Sequence, residues 1–138
     1  ALYGYLPAMT LPENTAGKQR ILVADDSVTS RTLIKRTLEQ AGYTVESAAD
    51  GVEALAILRA VSVHLVVSDV DMPRMSGFTL TTRIREDDHL RSLPVVLVTA
   101  LDSPEDREHG RNVGANAYII KSSYEKSSLL RVVRNLLS

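Results

Sequence analysis

Four apolar runs in this chain end on side chains capable of chemistry. Ile21-Leu22-Val23-Ala24 runs into Asp25 and Asp26, and Val63 to Ser68 runs into Asp69. Pro94 to Val98 ends on Thr99, and Ala117 to Ile120 ends on Lys121. Three carboxylates, a hydroxyl and an ammonium therefore share one kind of position. Clustered carboxylates repel each other, which raises the pKa of at least one. A hard divalent cation relieves that repulsion, and Mg²⁺ suits oxygen ligands that leave several of its waters in place. One carboxylate oxygen then remains available as a nucleophile on phosphorus, forming an aspartyl phosphate. Phosphoryl transfer mainly asks for positioning and charge neutralisation, which the cation, Lys121 and the Thr99 hydroxyl together supply.

Each residue alone has a plainer role. Asp25 and Asp26 suit a helix N-terminus, Asp69-Val70-Asp71 suits a turn, Thr99 fills a strand end, and Lys121 is a solvated lysine. Their conjunction at four strand ends favours the chemical reading.

The elements that must position them alternate along the chain. Strands are expected at 21–24, 43–47, 63–68, 94–99 and 117–120. Ser27 caps a first helix whose face carries Leu33, Ile34, Thr37, Leu38 and Ala41, and Gly42 stops it. Asp50-Gly51-Val52-Glu53 is a variant capping box opening a second helix with Val52, Leu55 and Leu58 on its face. A third helix runs from about Phe78 to Asp87. Ser103 and Pro104 open a fourth that Gly114 ends. Leu129, Leu130, Val132, Val133, Leu136 and Leu137 form the face of a fifth. Apolar strands imply burial on both faces, hence a parallel sheet with helices on either side. Right-handed crossovers make this a doubly wound α/β fold, whose ligands sit beyond the carboxyl ends of the strands at the switch in strand order.

The totals agree. The 138 residues fit one domain, and 44% hydrophobic residues suffice for its core. A net charge of −1 gives no reason to expect nucleic acid or an anionic membrane. The absence of cysteine excludes disulfides, thiolate catalysis and cysteine-ligated zinc. No apolar run approaches the roughly 20 residues of a spanning helix, and a cytoplasmic location is expected. Residues 1–19 hold two of the five prolines and no sustained period, as a linker or N-terminal extension would. Leu2, Tyr3, Tyr5 and Leu6 are apolar enough to pack on a neighbour or an upstream domain.

From about Arg20 to Ser138 the chain resembles the receiver domains of two-component response regulators. The resemblance rests on ADDS at 24–27, SDVDMPRMSG at 68–77, VTA at 98–100 and GANAYIIKS at 114–122, all in family order and spacing. It implies a five-stranded flavodoxin-like fold of receiver type. Asp69 would be the phosphoacceptor. Asp26, Asp69 and the Asp71 backbone carbonyl would hold Mg²⁺ (or Mn²⁺), with Asp25 acting through a water. Thr99 and Lys121 would bind phosphoryl oxygens, and Tyr118 would turn inward when Thr99 is drawn to the phosphate. The donor would be a phosphohistidine on a histidine kinase or histidine phosphotransfer domain. The module would catalyse its own phosphoryl transfer and autodephosphorylation, with output through a downstream protein contact or a fused kinase. DMPRMSGF, the segment 91–110 and Lys121-Ser122-Ser123-Tyr124 are similar to receivers at the C-terminus of chemotaxis-type hybrid histidine kinases. Residues 1–19 would then be linker.

Two departures stand out. Ser122 follows Lys121 where most receivers carry a cis proline. A cis bond to a non-proline costs ~3 kcal/mol, so the bond is expected to be trans. The fourth helix has almost no apolar residue and contains Gly110, which predicts a mobile or frayed element. Met72 and Met75 are expected to pack in the turn, Pro73 to fix its path, and Gly77 to permit a backbone angle or close approach. His64, His89 and His109 are read as surface or packing residues. Two other functions stay open. One is a pseudo-receiver that binds partners without phosphorylation. The other is a haloacid-dehalogenase-type phosphatase, although that family carries its aspartate pair on the first strand.

Overall fold

The computed structural model describes residues 18–123 and 125–138. The expected linker segment lies almost wholly outside them, as does Tyr124. Five strands, β1 (Arg20–Ala24), β2 (Thr44–Ala48), β3 (Leu65–Ser68), β4 (Val95–Thr99) and β5 (Ala117–Ile120), alternate with five helices. The helices are α1 (Val28–Gln40), α2 (Gly51–Ala60), α3 (Gly77–Glu86), α4 (Pro104–Val113) and α5 (Lys126–Leu137), with a 3₁₀ turn over Lys121–Ser123. The strands form one parallel sheet in the order β2-β1-β3-β4-β5.

Strand alternation divides the core in two. Leu22, Val66, Val95 and Leu97 face a cluster with Leu55, Leu58, Phe78, Leu80 and Ile84 from α2 and α3. Their neighbours Ile21, Val23, Leu65, Val67, Val96 and Val98 face Ile34 and Leu38 of α1 and Leu129 and Val133 of α5. Each fully buried side chain of this size contributes roughly 1.5–3 kcal/mol relative to exposure. The expected helical faces were drawn slightly too wide. Leu33 and Val52 are 42% and 39% exposed, because only part of an apolar stripe reaches the sheet. The capping signals held: Ser27, Asp50 and Ser103 each accept a backbone N–H three residues on.

The fourth helix departs from its expectation. All ten residues of α4 are helical, between the Ser103 cap and a left-handed Gly114. The apolar stripe is replaced by two aromatic contacts. His109 stacks on Phe78 with ring centroids 3.9 Å apart, and Gly110 is buried against the Tyr118 ring.

The carboxyl ends of α3 and α4 are tied together by one guanidinium. Arg85 donates through Nε and Nη2 to Gly114 O at 3.0 and 2.8 Å. Its Nη1 reaches Leu93 O at 2.7 Å and Arg91 O at 3.0 Å, and Nη2 also reaches Asn116 Oδ1. Arg85→Ala strands these acceptors and is expected to cost about 2–3 kcal/mol in urea denaturation. Arg85→Lys should recover little of it, since an ammonium cannot reproduce the planar fork of donors.

Candidate functional site: an acidic pocket at the strand-order switch

The chain leaves β1 toward β2 on one side of the sheet and later takes β3 to the other, so the switch lies between β1 and β3. Their register pairs Ala24 with Ser68, which sets Asp25 beside Asp69. The Asp69 N–H donates to Ala24 O at 2.8 Å and the Asp25 N–H to Ala48 O at 3.1 Å. Both acids are therefore fixed by the sheet's own ladder. Asp25, Asp26 and Asp69 each place a carboxylate oxygen within 4.8 Å of the others. Asp25 and Asp69 are buried and Asp26 is exposed. The Asp71 side chain is exposed and outside this trio; its N–H lies 3.4 Å from Asp69 Oδ1.

Lys121 enters from the end of β5. Its Nζ donates to Asp25 Oδ2 at 2.9 Å and to Asp69 Oδ2 at 3.0 Å. No peptide bond among the described residues is cis, so Lys121–Ser122 is trans, as expected, and the 3₁₀ turn still brings the ammonium to both acids. Burial alone would depress the lysine pKa, but its bonds to Asp25 and Asp69 outweigh this and raise it. Burial pushes the Asp25 carboxyl upward, against the lysine bond and the Ser27 N–H bond that lower it. The Asp69 charge adds to the rise. Three carboxylates face one ammonium, leaving two negative charges unmatched. An all-oxygen trio with that deficit fits a divalent hard cation.

The remaining Asp69 oxygen, Oδ1, accepts the Val70 N–H at 2.7 Å. The loop behind it is tightly closed. A Cβ on Gly77 would collide with the Asp69 carbonyl oxygen, so close approach is the reason for glycine there. Met72 is buried and Met75 packs against the core, as expected of turn packing. Arg31, which sequence reasoning overlooked, donates to Asp25 O at 2.7 Å. Nothing local marks it, because its partner lies six residues back on the preceding strand end.

Thr99 is fully buried at the end of β4. Its Oγ1 accepts the Leu101 N–H at 3.3 Å, and Leu101 O accepts the Tyr118 hydroxyl at 2.8 Å. Burial, first among its causes, raises the Tyr118 phenol pKa. Thr99 and Tyr118 are thus joined through the two polar groups of a single residue. The histidines lie elsewhere. His64 Nδ1 accepts the Arg20 N–H at the amino ends of the strands, away from the acids, His89 is exposed in the turn after α3, and His109 lies on Phe78.

A second missed pair braces the acidic loop. Asp50 Oδ1 accepts the Glu53 N–H at 2.9 Å, and Oδ2 accepts two N–H bonds from Arg74 at 3.0 and 2.8 Å. Arg74 holds a left-handed backbone, φ 67°, a costly conformation for a residue with a side chain. The Glu53 N–H bond, then Arg74, hold the Asp50 carboxyl below its ordinary value. The resulting stability is full above the unfolded-state pKa of 3.8 and is lost as pH falls through the lower folded-state value. Asp50→Asn keeps a capping oxygen but removes the charge. The variant is expected to melt below the parent at neutral pH and to converge with it in strong acid, which thermal melts across pH will show.

A parallel sheet in this order, with carboxylates at the switch point and a lysine opposite, defines a flavodoxin-like α/β protein of receiver type. The chain belongs to the response regulator receiver domain family, which it matches over residues 21–134. It is 42% identical over 113 residues to the sensor protein EvgS of Escherichia coli O157:H7, covering 82% of this chain and 9% of that protein. It is 32% identical over 121 residues to a gliding motility regulatory protein of Myxococcus xanthus, covering 88% of this chain and 16% of that protein. The chain therefore spans a small part of the length of these curated relatives. Among solved structures it is similar to the chemotaxis protein CheY4 of Vibrio cholerae, with a TM-score of 0.82 and 35% identity over 88% of this chain and 100% of that one. Receiver domains of this family bind Mg²⁺ at an acidic pocket and interact with histidine kinases or phosphotransfer partners. No helix among the described residues is long and apolar enough to cross a membrane.

Proposed function

We propose that this receiver takes a phosphoryl group onto the Asp69 carboxylate from a phosphohistidine. The observation carrying this reading is Asp69 itself: nearly buried, bonded to Lys121 at 3.0 Å, and set among carboxylates that leave negative charge unmatched. A carboxylate oxygen attacks phosphorus, the donor's N–P bond breaks, and the leaving imidazole keeps the electron pair and takes up a proton. Asp26, Asp69 and the Asp71 carbonyl would hold Mg²⁺ or Mn²⁺, with Asp25 acting through a water, and the ion would supply charge neutralisation there. Lys121 balances charge on the transferring group. The Thr99 hydroxyl, which accepts from Leu101, has its own hydrogen to donate to a phosphoryl oxygen. A shift of Thr99 is passed through Leu101 to Tyr118 and alters a partner-binding surface.

Residues 20–138 form the receiver unit, and 1–19 are a linker or N-terminal extension. The likeness to EvgS, a sensor protein of which the chain covers 9%, supports a place within a longer sensor protein, here a hybrid histidine kinase; the chemotaxis type and the cytoplasmic setting are proposed on the sequence alone. The donor is then a kinase or histidine phosphotransfer domain, and the output is a protein contact or feedback on the fused kinase.

Incubation with a small acyl phosphate and Mg²⁺ tests the core of this reading. The expected result is a mass gain of one phosphoryl group, abolished by chelation of the metal. Intact fold and Mg²⁺ binding without labelling would establish a pseudo-receiver instead. Rapid turnover of phosphate monoesters would establish a phosphatase.

A further inference from the structure

Gly110 is an unusual residue for its position. It lies inside α4, where glycine weakens a helix relative to alanine, and its backbone has no left-handed angle to require glycine. What it does have is a neighbour. An ideal Cβ at Gly110 would sit 2.8 Å from Tyr118 Cδ2, 3.1 Å from Tyr118 Cε2 and 3.4 Å from Leu97 Cδ1. The first contact is closer than side chains tolerate. Leu97 is fully buried in the inner strand β4 and has little room to give way. The Tyr118 ring lies at the partly exposed edge strand β5 and can swing out. Swinging out takes its hydroxyl away from Leu101 O, to which it donates at 2.8 Å. Leu101 is the residue whose N–H serves Thr99.

We propose that Gly110 is a positioning residue of the switch: its missing side chain is the seat for the Tyr118 ring, and that seat sets how readily Thr99 responds to a phosphoryl group on Asp69. The second half rests on the proposed function of Asp69; the first half is a packing statement that stands alone. Glycine here trades helix strength for room beside the helix. Alanine restores the helix and fills the room. The two effects oppose each other only while the tyrosine ring is present.

That opposition gives the test. In the purified chain, Gly110→Ala is expected to lower the melting midpoint when Tyr118 is present. In a Tyr118→Ala background the same substitution is expected to raise it. Calorimetric titration with beryllofluoride in Mg²⁺, as a phosphoryl mimic, should show Gly110→Ala binding about fivefold more weakly than the parent. Binding of Mg²⁺ alone should be unchanged, because the carboxylates are not touched, and the beryllofluoride difference should vanish in the Tyr118→Ala background. An equal fall in midpoint in both backgrounds would place the clash elsewhere and overturn the seat. A reversal of midpoint with no change in beryllofluoride affinity would overturn its link to Thr99. If the parent chain binds Mg²⁺ but not beryllofluoride, the reading of Asp69 fails along with the link, while the midpoint cycle still decides the seat.

Discussion

Asp69→Asn is expected to abolish the mass gain from an acyl phosphate and leave the fold intact. The amide oxygen can still accept the Val70 N–H that anchors Oδ1, so the backbone loses no partner. Lys121 keeps Asp25, and Asp25 loses a like charge that pushes its pKa up. The cost of the change is therefore offset locally, and the melting midpoint should move little. Chemistry has no such fallback. An amide is a poor nucleophile toward phosphorus; Asp25 shares Lys121 at 2.9 Å but its side chain is more deeply buried than that of Asp69, and Asp26 makes no described bond to the lysine. Mg²⁺ affinity should fall by about tenfold, since a site of this kind is tuned by the number of charged ligands. Residual labelling on Asp25 or Asp26 in peptide mapping would refute the assignment of Asp69.

Lys121→Met should have the second largest effect, and on two quantities at once. It removes the ammonium within 3.0 Å of both buried acids. Leaving buried carboxylates unpaired is strongly destabilising; with Lys121 partly open to solvent, about 2 kcal/mol is expected. The penalty depends on ionisation. Asp25 already has a raised pKa, and loss of the lysine bond, which lowers it, raises it further. A carboxyl with a raised folded-state pKa destabilises as pH rises from its unfolded to its folded value and is harmless below both. The variant should thus approach the parent in acid and fall behind it toward neutral pH. Mg²⁺ should restore much of the lost stability. It should not restore transfer, because the charge Lys121 places on the moving phosphoryl group is gone, and the labelling rate is expected to drop on the order of 100-fold. Recovery of both stability and rate by Mg²⁺ would show that Lys121 only balances charge in the folded protein.

The parts of the fold legible in the sequence were those carried by short-range pattern. Apolar runs marked the strands, Ser27, Asp50 and Ser103 marked helix starts, and the residue after each run marked a strand end. Parallel order then brought Asp25, Asp26, Asp69 and Lys121 together without a further assumption. What escaped was non-local or carried by the absence of a side chain. Gly110 read as a helix breaker because its partner, Tyr118, lies on another element. Nothing local marks Arg85, since its acceptors are the Gly114, Arg91 and Leu93 carbonyls and the Asn116 side chain, in the segments before β4 and β5. The Asp50–Arg74 brace joins two loops more than twenty residues apart, and neither residue type announces the other. Leu33 and Val52 show the reverse error, apolar residues assigned to a core that the helix geometry does not let them reach.

Gly77 carries the narrowest tolerance in this site. Asp26 and Asp71 have open space around their side chains, so a library randomised there would return folded chains with graded changes in metal binding. At position 77 every alternative residue brings a carbon into the carbonyl oxygen of Asp69 itself. Variation at that codon is therefore all-or-none: the chain can drift in how well its acidic pocket works by changing its acids, but not by changing the one residue that contributes no side chain to it.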